Sequence, residues 1–539
     1  MAEEKKAPPK GGNPFGLMEP VDHANWPGTA PEISEADIAA TYTADVVIAG
    51  GGHAGLGCAL AAAEGGLSVI VAEKKKAEKY SWTGEQIGTY NSDFLTKKGF
   101  GNYDLDEVTE EYCKCYHYYC NPVLVERYVK KSGELLDHYI SLQPKDSNIL
   151  DDDQCNVHCH LPGTKYPYIR SGYKTWAATL QFRGTPVTTH GISYRMNAFS
   201  RLPEFLRPVM AESQRLGADW HFGVTAEKVI MENGRAVGLI VKNGDKYEKY
   251  LANKAVVLSM GSFTDRGHKL GAWAGGHMDN TPYEPMQLGM FHAPSRCFGD
   301  TSFLELNNNG KRFMNEALPY GNARSRQPDG LQSWVSDSKW LEQVKTIGLQ
   351  HGNPDFGMPI YFEQAQEDMS HVVDAGAEGY LVRNLGLSER ECGRVYGANT
   401  LEELAGFLGY TGEKAEAFVA SVKRYNEMCY AGYDSDYHKD AECLIPIDQP
   451  PYYGGVNVIR HRKWVPVPRY AGEFNGLHTD DDLCVVDEDG NPIPGLYAAG
   501  ETMGYARSVF YATPSGGNHI GMASTLGREL GKHLAGQEY

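Results

Sequence analysis

Gly50-Gly51-Gly52-His53-Ala54-Gly55 spaces Gly50, Gly52 and Gly55 as GxGxxG, and Glu73 follows 18 residues after Gly55. That spacing can hold a dinucleotide. The first glycine permits a tight turn, the second lets a pyrophosphate approach bare backbone, and the third lets the following helix pack on the preceding strand, with its N-terminus facing the phosphates. An acid at the place of Glu73 accepts hydrogen bonds from a ribose 2′-hydroxyl and disfavours a 2′-phosphate, which leaves FAD or NAD. No second GxGxxG follows a strand, so one dinucleotide site is expected and no separate NAD(P)H domain.

A second concentration of reactive side chains is Cys113-x-Cys115-x-His117-x-x-Cys120 with Cys155-x-x-His158-Cys159-His160. On a helix Cys113, His117 and Cys120 share one face. Such a set can ligate zinc or an iron–sulfur cluster. No paired CxxC is present, and reduced thiols are common small core residues, so packing is the expectation and no metal is assigned. The chain carries 11 Cys, an odd number, which does not fit the disulfide framework of a small secreted domain. Tyrosine is in excess, 33 against 18 Phe, enough for a polar-tipped aromatic pocket beside the usual core edges.

The glycine turn needs elements to hold it. Residues 46–49 read as a buried strand, 54–64 as an alanine-rich helix and 68–72 as a second buried strand, a βαβ unit with parallel strands. Order is expected from Ala44, after a Pro/Gly-rich irregular arm over 1–43. Helical pattern from 106 to 140 breaks at Asn121-Pro122, an N-cap followed by proline, which predicts two helices. Residues 201–215 form a further amphipathic helix. After it, the alternation around Asn233-Gly234 predicts a hairpin, and 251–263 supplies another apolar strand. Polar loops and helices, among them 401–408 and 413–426, fill 270–450. Short strands return before 501, and a last amphipathic helix from Ile520 closes the first domain. The division expected is thus 1–43, 44–269, 270–450 and 451–539, the third segment being inserted into a discontinuous first domain.

Composition limits the partners. The 539 residues suggest about two to four domains at roughly 100–200 residues each. Asp plus Glu outnumber Lys plus Arg by 69 to 51, a net charge of −18, which argues against nucleic acid or an anionic membrane surface. No uninterrupted apolar run reaches the roughly 18 residues of a membrane span. The N-terminus shows no apolar signal core, so cytoplasmic is the default expectation.

Near the C-terminus, GLYAAGE occupies 495–501, and GKRFMNE occupies 310–316 in the inserted segment. With the N-terminal GGGHAG, these resemble the fumarate reductase and 3-ketosteroid dehydrogenase superfamily of flavoproteins, over most of 44–539. The resemblance implies an α/β fold: a Rossmann-like FAD-binding domain (ββα, parallel sheet) with an inserted α+β substrate (capping) domain. It selects FAD as the cofactor. The residues it implies for FAD are Gly50, Gly52, His53, Ala54, Gly55, Glu73, Lys74, Thr83, Gly84, Val224, Gly261, Gly500, Glu501, Ser515, Gly516, Asn518, His519 and Ile520, with Val224 touching the adenine and 515–520 meeting the isoalloxazine end.

Fumarate reductases look like NExxxR after GxRF, where this chain has Asn315-Glu316-Ala317-Leu318-Pro319-Tyr320. Their HHTMGG is here Ala471-Gly472-Glu473-Phe474-Asn475-Gly476, and their RLGGN is Pro514-Ser515-Gly516-Gly517-Asn518. The fixed cations that clamp a dicarboxylate are missing. NE-x-x-PY looks instead like the ketosteroid dehydrogenases and related steroid or enone reductases. In that branch Tyr320 exchanges a proton beside a carbonyl, and a tyrosine together with backbone N–H groups at Gly516 or Gly517 holds the carbonyl oxygen. Thr513 stands where that tyrosine is expected, and Tyr511 lies two residues earlier. The expected reaction adds or removes hydrogen across a C–C bond conjugated to a carbonyl of a steroid-like substrate, with an external flavoprotein, quinone or cytochrome exchanging electrons. The rivals are a reductase of small acrylate-type acids, using Arg195, Arg324, Arg326 or Arg507, and an electron-transfer flavoprotein subunit.

Overall fold

The computed structural model describes residues 26–84, 86–116, 118–151, 155–158, 176, 178–182, 200–261, 266–279, 301–317, 333–347, 359–381, 394–456, 475–504, 506 and 514–538. The first half of the chain contains strands β1 (Ile38–Ala49), β2 (Val69–Glu73), β3 (Gln86–Gly88), β4 (Cys155–His158), β5 (Thr179–Phe182), β6 (Ala218–Phe222), β7 (Val224–Glu232), β8 (Arg235–Asn243) and β9 (Lys246–Leu258). Its helices are α1 (His53–Glu64), α2 (Asp93–Lys97), α3 (Leu105–Cys115), α4 (Pro122–Ser141), α5 (Leu202–Arg215) and α6 (Gly267–Trp273). In the second half come β10 (Leu304–Leu306), β11 (Ser333–Ser336), β12 (Tyr380–Leu381), β13 (Arg394–Ala398), β14 (Tyr452–Val456), β15 (Cys484–Val486) and β16 (Pro492–Ala498). The helices there are α7 (Trp340–Ile347), α8 (Pro359–Ala375), α9 (Leu401–Phe407), α10 (Glu413–Ala431) and α11 (Asn518–Leu534).

The largest sheet runs β15-β16-β9-β1-β2-β6, with β8 also pairing β9 and β7 pairing β8. β16, β9, β1, β2 and β6 are mutually parallel along this path. Their apolar runs are buried on both faces, as a parallel sheet covered by helices requires. Helix α1 is too alanine-rich to be amphipathic and is buried from Ala54 to Ala63, packed on the last helix. At their crossing a Cβ on Gly527 would stand 2.2 Å from the Ala54 carbonyl oxygen, so only glycine allows the two backbones this close. The two helices expected over 106–140 form as α3 and α4, and Asn121 caps the second by accepting from the N–H groups of Val123 and Leu124. The Asn233-Gly234 hairpin forms with both turn residues at positive φ, as its tight turn demands.

A second sheet, β10-β11-β14-β13-β12, carries antiparallel pairings and its own apolar clusters built on Leu404, Phe418, Val422, Trp334 and Val372. A small third sheet, β3-β5-β4, sits beside the glycine crevice.

Three boundaries differ from the sequence expectation. β1 begins at Ile38, inside the expected arm, because residues 38–43 pair in parallel with β9 while staying largely exposed, so no apolar run announces them. Helix α6 belongs to the main core through Leu270, although composition had turned polar by 270. β14 pairs with β11 and β13, so the second sheet extends past 450; its Tyr-Tyr-Gly-Gly sequence reads as a loop. Among the described residues no helix is long and apolar enough to cross a membrane.

Candidate active site

The carboxyl ends of β1, β2, β9 and β16 open on one crevice, the place where an open parallel sheet receives ligands. Gly50 turns there at φ +95°, and a Cβ on it would lie 2.4 Å from the Ser259 carbonyl oxygen. Glu73, buried at the end of β2, accepts from the N–H of Gly51 at 3.0 Å and of Lys75 at 2.8 Å. Each carboxylate oxygen keeps a lone pair for a ribose hydroxyl. Lys74 beside it is exposed, and Val224 is buried at the start of β7, behind Gly223, whose N–H donates to the Lys75 carbonyl at 3.0 Å.

Sequence reasoning missed an aromatic group here. The Tyr80 hydroxyl donates to the Gly51 carbonyl, and its ring lies 4.9 Å from Trp82, 5.1 Å from Phe222 and 6.0 Å from Trp220. Burial raises the Tyr80 phenol far above its ordinary value, so it remains a donor. The signal was present as Tyr80-x-Trp82 and Trp220-x-Phe222, each pair alternating onto one side of extended chain.

Two helix N-termini converge on the crevice. His53 opens α1, and burial pushes its imidazole down to about 4, so at neutral pH it is uncharged. Its Nε2–H donates to the Thr83 carbonyl at 2.8 Å, while Nδ1 has no hydrogen-bond partner among the described residues. Gly84 lies against Ile520 of α11. Gly500 adjoins Ala54, and Thr502 accepts from the Met260 N–H at 2.8 Å and donates to the Gly261 carbonyl at 3.2 Å, tying the two strand ends together. The Glu501 carboxylate and the His519 imidazole meet at 2.7 Å.

At the start of α11, Ser515 is fully buried and accepts from the Tyr90 hydroxyl at 2.8 Å, with the Tyr112 hydroxyl 3.3 Å away and 2.9 Å from that of Tyr90. Gly516 accepts from the Thr179 hydroxyl, Gly517 accepts from the Gly88 N–H at 2.9 Å, and Asn518 is buried. The expected FAD residues are therefore brought together, Lys74 at the rim. The tyrosine surplus is partly explained by Tyr90, Tyr112 and Tyr128, whose buried rings meet edge to face.

The GKRFMNE stretch has a structural reason. Arg312 donates to both oxygens of Glu316 at 2.9 Å and to Asp434 at 2.7 Å, all three buried. Lys439 lies 3.3 Å from Glu316 and donates to the Ser302 carbonyl. Burial raises the Asp434 carboxyl, but Arg312 and the N–H groups of Lys439 and Tyr437 outweigh it and bring the pKa to about 2. This cluster fixes the backbone four residues before Tyr320.

Tyr320, Tyr511 and Thr513, and the arginines at 195, 324, 326 and 507, lie outside the described residues. Cys113, Cys115 and Cys120 are buried free thiols. His117, Cys159 and His160 also lie outside the described residues, within which no group of three or more His, Cys, Asp or Glu is placed to hold a metal.

Bare backbone at Gly50, spare lone pairs on Glu73, the unpaired Nδ1 of His53 and two convergent helix ends fit one extended dinucleotide, and the fold and site define a FAD-dependent oxidoreductase. The sequence pattern of the FAD binding domain family matches residues 45–520, and the chain belongs to that family. It is similar to 3-oxosteroid 1-dehydrogenase of Mycobacterium tuberculosis (strain ATCC 25618 / H37Rv), 23% identical over 92% of this chain and 98% of that protein. It is likewise similar to 4-oxocyclohex-2-ene-1-carboxylate 5-dehydrogenase of Sinomonas cyclohexanicum, 24% identical over 92% and 94%. Among solved structures it shares its fold with 3-ketosteroid-Δ4-(5α)-dehydrogenase of Rhodococcus jostii RHA1, at a TM-score of 0.63 and 18% identity, covering 92% of this chain and 97% of that one.

Proposed function

We propose that this enzyme adds or removes hydrogen across a C–C bond conjugated to a carbonyl, on a bulky, mostly apolar substrate such as a steroid. The observation that carries the reading is the buried Arg312–Glu316–Asp434 cluster, which anchors the segment leading to Tyr320, where fumarate reductases carry an arginine. Two relatives are named for substrates with a ring ketone, which supports the same chemistry.

Bound FAD supplies hydride exchange at the β carbon. Tyr320 exchanges the proton at the α carbon. Negative charge developing on the carbonyl oxygen is met by the N–H groups of Gly516 or Gly517, with Tyr511, because donors already fixed in place gain most as charge builds. The hydroxyl cluster of Tyr90, Tyr112 and Ser515 and the Thr179 bond hold that turn still. Residues 515–520 would hold the ring end of FAD and the Gly50 turn its phosphates, with electrons exchanged through an external flavoprotein, quinone or cytochrome. Anaerobic photoreduction of the bound flavin, followed by mixing with steroid enones, cyclic enone acids and simple acrylates, tests it. Reoxidation by the ring enones supports the reading, whereas reoxidation by acrylates alone, or by none, overturns it.

A further inference from the structure

We propose that Cys113 and Cys120 form a reversible disulfide, with hydrogen peroxide as the oxidant. Cys113 lies in the last turn of α3, and the chain turns back on it before α4 begins. Tyr118 makes the reversal: its φ of +58° is in the left-handed region, and its N–H donates to the Cys113 carbonyl at 2.7 Å, while the Tyr119 N–H donates to that of Tyr116 at 2.9 Å. Asn121, the next residue after Cys120, accepts from the Val123 and Leu124 N–H groups and donates to Asp481 at 2.7 Å, which fixes the far side. The reversal brings the two thiols into hydrogen-bond contact. They are free thiols, each 6% exposed, whereas Cys115 at the end of α3 is 0% exposed. Tyr118 and Tyr119 in the reversal are 67% and 59% exposed, so the pair lies just beneath the surface, within reach of a small solute.

A thiolate is the nucleophile in such chemistry, and a hydrogen bond from a second thiol favours it. The bond from Cys120 holds the Cys113 pKa below its ordinary value against burial and the nearby Glu110, and the same bond, with burial, pushes Cys120 far up. Burial pushes Cys58 and Cys484 up to about 12 and Cys115 further, so reactivity concentrates at Cys113. The Cys113 thiolate attacks one peroxide oxygen and the O–O bond breaks. The departing hydroxide takes up the proton that Cys113 gave up and leaves as water, with the sulfur oxidised to a sulfenic acid. The Cys120 sulfur then displaces that hydroxyl: S–S forms as S–O breaks, and the Cys120 proton leaves in a second water. One peroxide is reduced for each pair of thiols oxidised, and an added dithiol reverses the step. The bond ties down the end of α3 next to Tyr112, whose hydroxyl lies 2.9 Å from that of Tyr90 and 3.3 Å from that of Ser515, so oxidation stiffens the support of the turn before α11.

The test is mass mapping of the folded, full-length protein carrying its flavin, treated with hydrogen peroxide, blocked with N-ethylmaleimide and digested without reductant. The parent, Cys113→Ser, Cys120→Ser and Cys115→Ser are compared. The parent should lose both thiols and yield a peptide pair linked through Cys113 and Cys120, and dithiothreitol should restore both. Cys115→Ser should behave in the same way. Cys113→Ser should keep the Cys120 thiol, and Cys120→Ser should accumulate a sulfenic acid at Cys113 that dimedone captures. The parental map needs no variant, so a substitution that prevents folding leaves the test standing. The assignment is overturned if Cys113 and Cys120 both stay open to alkylation, or if either is linked to another cysteine. Oxidation of Cys113 to a sulfinic acid while Cys120 stays free, or a linkage that forms only after denaturation, overturns it as well.

Discussion

The imidazole of His519 and the carboxylate of Glu501 meet at 2.7 Å, joining the glycine segment after β16 to the first turn of α11. The pair stands at the N-terminus of α11, within electrostatic reach of His53 at the start of α1. A carboxylate here offsets the positive helix ends and keeps lone pairs for cofactor hydroxyls.

Glu501→Gln retains the shape and removes the charge. Each hydrogen bond lost to a charged acceptor is worth roughly 1.5–3 kcal/mol, so FAD should bind about tenfold or more weakly. Quenching of flavin fluorescence on titrating apoprotein measures this. Parental affinity would mean that Glu501 serves the protein scaffold alone.

Glu73→Ala should act twice. It removes the acceptor proposed for the adenosine ribose, and it strips the buried Gly51 N–H and the half-buried Lys75 N–H of their partner, a cost of about 1–3 kcal/mol for the buried group left unsatisfied and less for the other. FAD affinity should fall at least about tenfold, and the apoprotein itself should lose thermal stability. A drop in FAD affinity without any fall in apoprotein Tm would remove Glu73 from the scaffold.

How much of this could be read beforehand depends on sequence distance. The Gly50 turn, Glu73 and the Asn121 cap are local, each encoded within a few residues or one βαβ unit. The Tyr90–Ser515 bond spans 425 residues and the Arg312–Asp434 pair 122, and no spacing rule connects such partners. Residues 38–43 were missed because an exposed strand partnered on one side carries no apolar pattern.

Two titrations separate in pH. His53 has an ordinary value of 6.5 and a folded value of about 4, set first by burial, with the Thr83 carbonyl and Glu501 opposing the shift and His519 adding to it. Its folded pKa is depressed, so its contribution is complete above pH 6.5 and is lost as pH falls toward 4. Asp434, ordinarily at 3.8, is depressed to about 2, so its contribution is lost only as pH falls from 3.8 to 2. His53→Gln should flatten the fall in Tm between pH 6.5 and 4 and leave the acid limb intact. A parental slope in that variant would show that His53 stays neutral in neither state or in both.

Removing Arg312 leaves Glu316 with Lys439 as its one cation among the described residues, 3.3 Å away, and Asp434 with backbone N–H donors in place of a guanidinium. Arg312→Met should therefore cost about 3–5 kcal/mol, the range for breaking a buried ion pair from one side. Because Glu316 sits in the segment leading to Tyr320, turnover should fall even in the fraction that remains folded, with FAD content near parental. A stable, fully active variant would detach this cluster from the catalytic segment.

Tyr320→Phe tests the proton transfer itself. It keeps the aromatic ring and removes only the hydroxyl, so packing and FAD content should be unchanged while positioned acid–base catalysis is lost, about 10²–10⁴-fold in turnover. A phenol near its unperturbed value of about 10 can protonate an enolate carbon at neutral pH, whereas dehydrogenation needs a phenolate, which must be favoured by neighbours or by higher pH. Direction therefore leaves a signature: reduction of a ring enone should hold steady from neutral pH upward until the phenol ionises, and dehydrogenation should climb over the same range. Both dependences should vanish in Tyr320→Phe. Turnover within threefold of the parent, with its pH profile intact, would move the proton transfer to another residue and leave the Arg312 cluster anchoring a segment with no catalytic hydroxyl.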